Sequence, residues 1–373
     1  MPSSQLRKIA SHYLLTPQGF YKRPLITVDA ESREILCIES YDNNLDTTPG
    51  VEFYSGILCP GFVNMHCHSE LSYLRGAIAE GSGYAAFAAS MAQVRDKFSD
   101  EERAKALQKA DREMWDEGID IVADIVNDNS SFAIKATSPI KYHSFAEVFG
   151  LKRSNIEYCK SLTINPNTTL TPHSVYSVQS DDFSQVCNSS AAPHSIHFKE
   201  SEAEELLFEG RGSLAEWYSA VGFECDFLHC GSPARRIVES IPADRSVILV
   251  HNCFVTQEDI DLIMSHFTAP VYWVLCPRSN RYISGIVPDV VHLLRRNNLN
   301  ITIGTDSLAS NHSLSILEEL RCFDTLPLEE LLTWATYNGA VALGEKPRGI
   351  INICGADLEA MKLTPQTTIK RIL

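Results

Sequence analysis

The sequence predicts an α/β protein: a (β/α)8 barrel, the TIM-barrel architecture, with a small flanking β-sandwich built from both chain termini. Three observations carry that expectation. Eight short apolar runs recur at 57–65, 119–126, 140–148, 168–173, 194–200, 246–252, 271–277 and 300–306. Amphipathic stretches rich in Glu, Ala, Leu and Lys separate them, the texture of strands alternating with helices around a parallel sheet. Residues 1–55 and 349–373 lack this alternation and break into short β-rich pieces.

In the first segment the β-rich pieces are LLTPQGFY, LITVDA and EILCIESY, and in the tail they are GIINICGADLEAM and TTIKRIL. Chain ends commonly lie close together in space, so the two sets are expected to share one subdomain, 1–55 with 349–373, beside a barrel of residues 56–348. The clearest helix is 99–118, which opens with Ser99 and Glu102 at capping-box spacing and stops at Gly118. The 54 residues from His197 to His251 are long for one β/α step. Their GRGSLAEWY and HCGSPARR stretches predict an inserted loop and helix over the barrel mouth.

Composition narrows the function classes. The 373 residues are 44% hydrophobic and 21% charged, the range of an ordinary globular protein. Forty-seven acidic against 32 basic side chains give a net charge of -15, which argues against nucleic acid and against anionic membrane surfaces as partners. No apolar run approaches the roughly 18 residues of a membrane span, and the first residues carry no signal-peptide core, so a cytoplasmic address is expected. The eleven cysteines form no CxxC pair and read as reduced thiols, several of them inside apolar runs.

In a barrel of this kind chemistry resides at the C-terminal ends of the strands. His66 and His68 end the first, and strand alternation turns both to one face. His197 lies on the fifth with Glu200 three residues on, His251 ends the sixth, and Asp306 ends the eighth. Any one of these is more readily a hydrogen-bonded core residue than a ligand. Together, three imidazoles and a carboxylate suit a borderline-soft divalent ion with one position left open.

The segment PGFVNMHCH at 60–68, HFKE at 197–200, LVHN around His251, CPRSN at 276–280 and GTDS at 304–307 together resemble the amidohydrolase superfamily. The likeness is to its cytosine deaminase, chlorohydrolase and adenosine-type deaminase branch. HSELS at 68–72 and GTDSLASNHSLSILEEL at 304–320 are most similar to aminofutalosine deaminases. The resemblance implies one divalent metal, by preference zinc with iron or manganese as alternatives, held by His66, His68, His197 and Asp306. No bridging lysine or glutamate appears on the fourth strand, where Thr171-Pro172-His173 stands. It further implies Glu200, His251 and Asp306 as catalytic groups, and His173, Glu70, Arg278 and Ser307 as substrate contacts. Glu200 could instead be a solvated helix-start carboxylate, His173 a turn residue, Glu70 a loop anchor and Arg278 a surface ion pair.

A hydrolytic deaminase acting on a small aminated heterocycle follows as the expected function, with an adenine-like nucleoside or an aminofutalosine-type molecule as substrate. Cytosine or guanine deamination, chlorohydrolysis and cyclic-amide hydrolysis share the same ligand set, and a non-catalytic barrel binding protein is the rival of another class. A homo-oligomer is compatible with the sequence.

Overall fold

The computed structural model describes residues 6–32, 34–41, 49–190, 192–285 and 289–373. The chain first lays down β1 (Leu6–Thr16), β2 (Gly19–Lys22), β3 (Pro24–Asp29), β4 (Ile35–Ser40) and β5 (Val51–Cys59). Eight strands then form the barrel: β6 (Phe62–Cys67), β7 (Ile119–Val126), β8 (Lys141–Val148), β9 (Thr168–Pro172), β10 (His194–Phe198), β11 (Val247–His251), β12 (Val271–Leu275) and β13 (Asn300–Ile303). The chain closes with β14 (Ile351–Cys354) and β15 (Thr368–Arg371).

Within the barrel, β6 to β9 and β10 to β13 each form a parallel four-stranded sheet in sequence order. The two halves meet at a bridge between Ser174 and His197 and at a second between Cys67 and Asp306. Val63, Met65, Ile121, Ile248, Val250 and Val274 fill the interior, so the barrel is a packed core with its polar residues gathered at one mouth.

Both chain ends enter one seven-stranded sheet, ordered β15-β14-β5-β1-β3-β4 with β2 on β1. The apolar run at 57–65 is divided by the structure. Ile57–Cys59 complete β5 of the flanking sheet, and Pro60-Gly61 turn the chain into β6. A proline lacks the N–H that a continuous ladder requires, which is why one apolar run serves two sheets.

The flanking sheet is fastened to the barrel at Asp120, a buried residue at the start of β7. Arg371 Nη1 lies 2.6 Å from Asp120 Oδ1, and its guanidinium sits 3.4 Å from the Trp115 ring centre. Gly61 and Gly349 close on the same carboxylate so tightly that a Cβ would fall 1.7 and 2.0 Å from Oδ2.

Two helices cover the mouth. α1 (Tyr84–Val94) follows the 3-10 turn Ser69–Leu74, and α2 (Asp100–Asp116) carries the Ser99–Glu102 capping box expected from the sequence. Backbone bonds from Gly81 to Tyr282 and from Gly83 to Ile283 tie the start of α1 to the helix Pro277–Ser284. The stretch between His197 and His251 holds helices Glu202–Phe208, Gly212–Val221 and Pro233–Ser240. All eleven cysteines are free, and among the described residues no helix is long and apolar enough to cross a membrane.

Removing Arg371 would take from the buried Asp120 its 2.6 Å ion pair and from Trp115 the guanidinium that covers its ring. Arg371→Ala is expected to lower unfolding stability by about 3 kcal/mol, read as a reduced urea midpoint; an unchanged midpoint would show that the C-terminal strand is not fastened there.

Candidate active site

The barrel seam sets the first part of the site. Backbone N–H groups of Thr305 and Asp306 both donate to the His66 carbonyl, at 3.0 and 2.9 Å. Asn64 reinforces the join, donating from Nδ2 to Thr305 Oγ1 and accepting from the Thr305 N–H. Asp306 itself adopts φ 58°, a left-handed conformation that takes it out of the strand and over the mouth. Its Oδ1 then stands 3.8 Å from His66 Nε2 and 3.7 Å from His68 Nε2. Ser279 and Ser310 hydroxyls donate to Oδ2 at 2.5 and 2.8 Å, which favours the ionised form.

His197 reaches the same point from β10. Its Nδ1 donates to the His173 carbonyl at 2.7 Å, which leaves Nε2 with a bare lone pair, 3.3 Å from His68 Nε2. Burial holds His66 and His197 well below the ordinary histidine range, so both are neutral. Both ring nitrogens of His66 are buried with no hydrogen-bond partner. Converging lone pairs on neutral imidazoles beside one carboxylate are unfavourable without a cation between them. The donor set of His66, His68, His197 and Asp306 therefore fits a divalent ion.

Around this cluster stand further buried titratable groups. Glu200 is 6% exposed, and burial, assisted by the charge of Asp306, pushes its carboxyl up to about 8. It does not lie on a helix, as the expected helix-start alternative has it. Lys199 at φ 52° bends the chain sharply, and the buried Glu204 carboxylate accepts from the N–H groups of Lys199, Glu200 and Ser201. That clamp precedes the helix Glu202–Phe208 and aims Glu200 inward, with Oε1 3.8 Å from His251 Nε2. Asn280 Nδ2 donates to His251 Nδ1 at 3.1 Å, so the His251 proton resides on Nε2, which faces the site with no partner of its own.

A cavity of about 600 Å³ opens from these residues. His68, Glu70, His173, His197, Glu200, His251, Asp306 and Ser307 all line it, and Phe87, Met91, Arg95 and Arg103 from the two covering helices and the turn between them form its outer part. His173 stacks on His197 with ring centres 4.6 Å apart. Glu70 accepts from the Asn127 N–H and the Ser131 hydroxyl, and burial raises it to about 8. Ser307 accepts from the Ala309 N–H and pairs with the Ser310 hydroxyl.

Arg278 is placed otherwise than the sequence suggested. Its guanidinium pairs with Glu318 at 3.0 Å, its N–H donates to Glu319, and it is absent from the cavity lining. As the first turn of a helix begins at Pro277, position 278 points away from the mouth while Ser279 and Asn280 reach Asp306 and His251. The CPRSN block thus serves the site through its last two residues. Sequence reasoning also missed Glu147, a carboxylate at the end of the apolar run of β8, and Arg95 and Arg103, which only the packing of α2 over the barrel brings to the cavity.

The chain is similar to known proteins over most of its length. The amidohydrolase family matches residues 57–370. An adenosine deaminase of Helicobacter pylori is 29% identical over 314 residues, covering 78% of this chain and 75% of its own. An aminodeoxyfutalosine deaminase of Nitratiruptor sp. is 24% identical over 392 residues, covering 96% and 92%. Among solved structures, Helicobacter pylori aminofutalosine deaminase in complex with methylthio-coformycin superposes with a TM-score of 0.80 at 26% identity, over 96% of this chain and 93% of that one.

Elemental analysis of purified protein is expected to find close to one divalent ion per chain, with Asp306→Asn and His68→Ala each lowering that content. Two tightly held ions, or none after growth with ample metal, would overturn the single cradle.

Proposed function

Because the chain belongs to the amidohydrolase family, we propose that it is a hydrolytic deaminase that releases ammonia from the aminated ring of an adenine-like nucleoside. Its metal is zinc on this reading, since an imidazole-rich set with one carboxylate and an open position suits that ion. The single observation that carries the reading is Glu200, a buried carboxyl raised to about 8 on the cavity wall beside the ligand cluster. Ammonia is a poor leaving group without a proton, and a carboxylic acid still protonated near neutral pH supplies one.

His66, His68, His197 and Asp306 would hold the divalent cation, which when bound would supply the electrostatic pull that ionises water near neutral pH. The chain's own groups do the rest. Asp306 accepts a proton from the attacking water. His251 donates from Nε2 to the attacking oxygen and holds it against the ring carbon. Glu200 protonates the neighbouring ring nitrogen, the carbon–nitrogen bond breaks as the amine takes up the proton that Asp306 holds, and the proton of the new hydroxyl returns to Glu200 as the carbonyl forms. The two protons of water end on the ring nitrogen and on ammonia, and the carbon keeps the oxygen.

The outer cavity supports an extended substrate. Arg103 donates from Nε to the Phe98 carbonyl, stacks 4.7 Å from the Tyr73 ring centre, and lines the cavity with Arg95. Those guanidinium groups, past the apolar Phe87 and Met91 in a lining that also holds Asp100, are the groups that would meet an anionic end of the nucleoside such as a carboxylate. The relatives named as aminodeoxyfutalosine and adenosine deaminases support the same class.

Glu200→Gln is expected to keep its metal and lose about 10² to 10⁴ in turnover, measured by ammonia release. Turnover at the parental rate would make Glu200 structural and remove the main support for deamination. Arg103→Ala should lower kcat/KM for a carboxylate-bearing adenine nucleoside about tenfold or more relative to adenosine, while Arg278→Ala leaves that ratio unchanged. The reverse pattern would return anion reading to Arg278.

A further inference from the structure

Glu147 has no part in the steps above. It stands near the C-terminal end of β8, the third barrel strand, is 4% exposed, and lines the cavity. Its Oε2 accepts from Asn127 Nδ2 at 3.2 Å, whereas Oε1 is buried with no hydrogen-bond partner. A bare carboxyl oxygen in the interior is costly, and the cost disappears when a ligand brings a donor to it.

Two kinds of ligand could do so. One is a second cation, since Glu147, His68 and His197 offer ligand atoms within 4.8 Å of one another. The nitrogens argue against it. His197 Nδ1, 3.8 Å from Glu147 Oε1, already donates its proton to the His173 carbonyl. The Nε2 atoms of His197 and His68 lie 3.3 Å apart and belong to the cradle with His66 and Asp306. A second ion would have to take a nitrogen from the first.

The other kind is an O–H or N–H group of an organic ligand, and the neighbourhood suits it. Asn127 joins Glu147 to Glu70, donating its backbone N–H to Glu70 Oε2 at 2.8 Å. Asp128 and Ser130 line the cavity just after Asn127, and His173, whose N–H donates to the Val148 carbonyl, lines it beside Glu147, so this wall is rich in acceptors, unlike the outer end with Arg95 and Arg103. Such a wall repels an anion and accepts from neutral hydroxyls.

We propose that Glu147 is a substrate-binding residue whose Oε1 accepts a hydrogen bond from a sugar hydroxyl of the nucleoside. The inference rests on reading the cavity as a nucleoside site. A buried acceptor built for one hydroxyl discriminates strongly against the analogue that lacks it, because the acceptor is then left unpaired.

The test compares kcat/KM for adenosine, 2′-deoxyadenosine and 3′-deoxyadenosine on wild type, Glu147→Ala and Glu147→Gln, with metal content measured in parallel. Wild type is expected to disfavour one deoxynucleoside at least tenfold. Glu147→Ala should lose at least tenfold on adenosine and little on that deoxynucleoside, so the discrimination collapses while metal content stays the same. Glu147→Gln, closest in shape, carries the same comparison if the alanine variant does not fold. Its amide cannot present an oxygen to both Asn127 and the ligand. Equal losses on all three nucleosides, no discrimination by wild type, or a second ion that Glu147→Ala loses would each overturn the proposal. If wild type releases ammonia from none of them, the deaminase reading falls separately. The hydroxyl preference is then read as Kd ratios by calorimetry on the same proteins, with the same two outcomes.

Discussion

The pair of backbone hydrogen bonds from Thr305 and Asp306 to the His66 carbonyl is the constraint on which the rest of the structure depends. Eight strands contribute to the barrel, yet the cluster of His66, His68, His197 and Asp306 draws on its first, fifth and eighth. The first and eighth come together only if the cylinder closes. Gly304 permits the approach, since a Cβ there would fall 2.8 Å from His66 Cβ and 3.0 Å from the Cys276 sulfur. Closure and the gathering of these side chains are therefore one event: a chain that left this seam open would hold His66 and His68 at one edge and Asp306 at the other, with His197 between them and no cluster.

The cost of the site is visible in the backbone. Lys199, His251, Asn252 and Asp306 all adopt positive φ without being glycine, and all lie where a strand of the second barrel half gives way to its loop. Left-handed conformations of this kind are strained, and they persist where surrounding contacts over-determine them. Here those contacts are the Glu204 clamp on residues 199–201, the bonds from Asn252 Nδ2 to the Leu249 and Val274 carbonyls, and the serines on Asp306. Packed side chains thus hold residues of the cavity mouth in backbone conformations that would be unfavourable alone.

What the sequence made legible follows from periodicity. Strands with buried faces read as apolar runs, and the polar residue that ends such a run is conspicuous, which is how His66, His68, His197, His251 and Asp306 could be read before any fold was known. Glu200 was found by its spacing from His197, although the turn that aims it rests on a left-handed lysine that no pattern announces. Arg278 misled because its direction depends on the phase of a helix beginning one residue earlier. Arg95 and Arg103 belong to segments far along the chain from the ligands, and their place at the cavity is a matter of tertiary packing. Glu147 carried a signal, a lone carboxylate inside an apolar strand, but its meaning lay in the unpaired oxygen, which only coordinates display.

The helix α1 over the mouth has no buried residue of its own. It is held by the bonds of Gly81 and Gly83 to the helix beneath and by the Tyr84 hydroxyl, 2.5 Å from that of Tyr176. Its inward residues Phe87, Ala88 and Met91 touch the cavity but take no part in the barrel interior. Phe87 and Met91 pack on a small cluster of Leu74, Ile78 and Ala309 that is separate from the barrel interior, so changes there need not disturb the barrel core. A lineage that keeps its seam and its cradle can acquire a taste for a new molecule by changing a roof that the walls do not need.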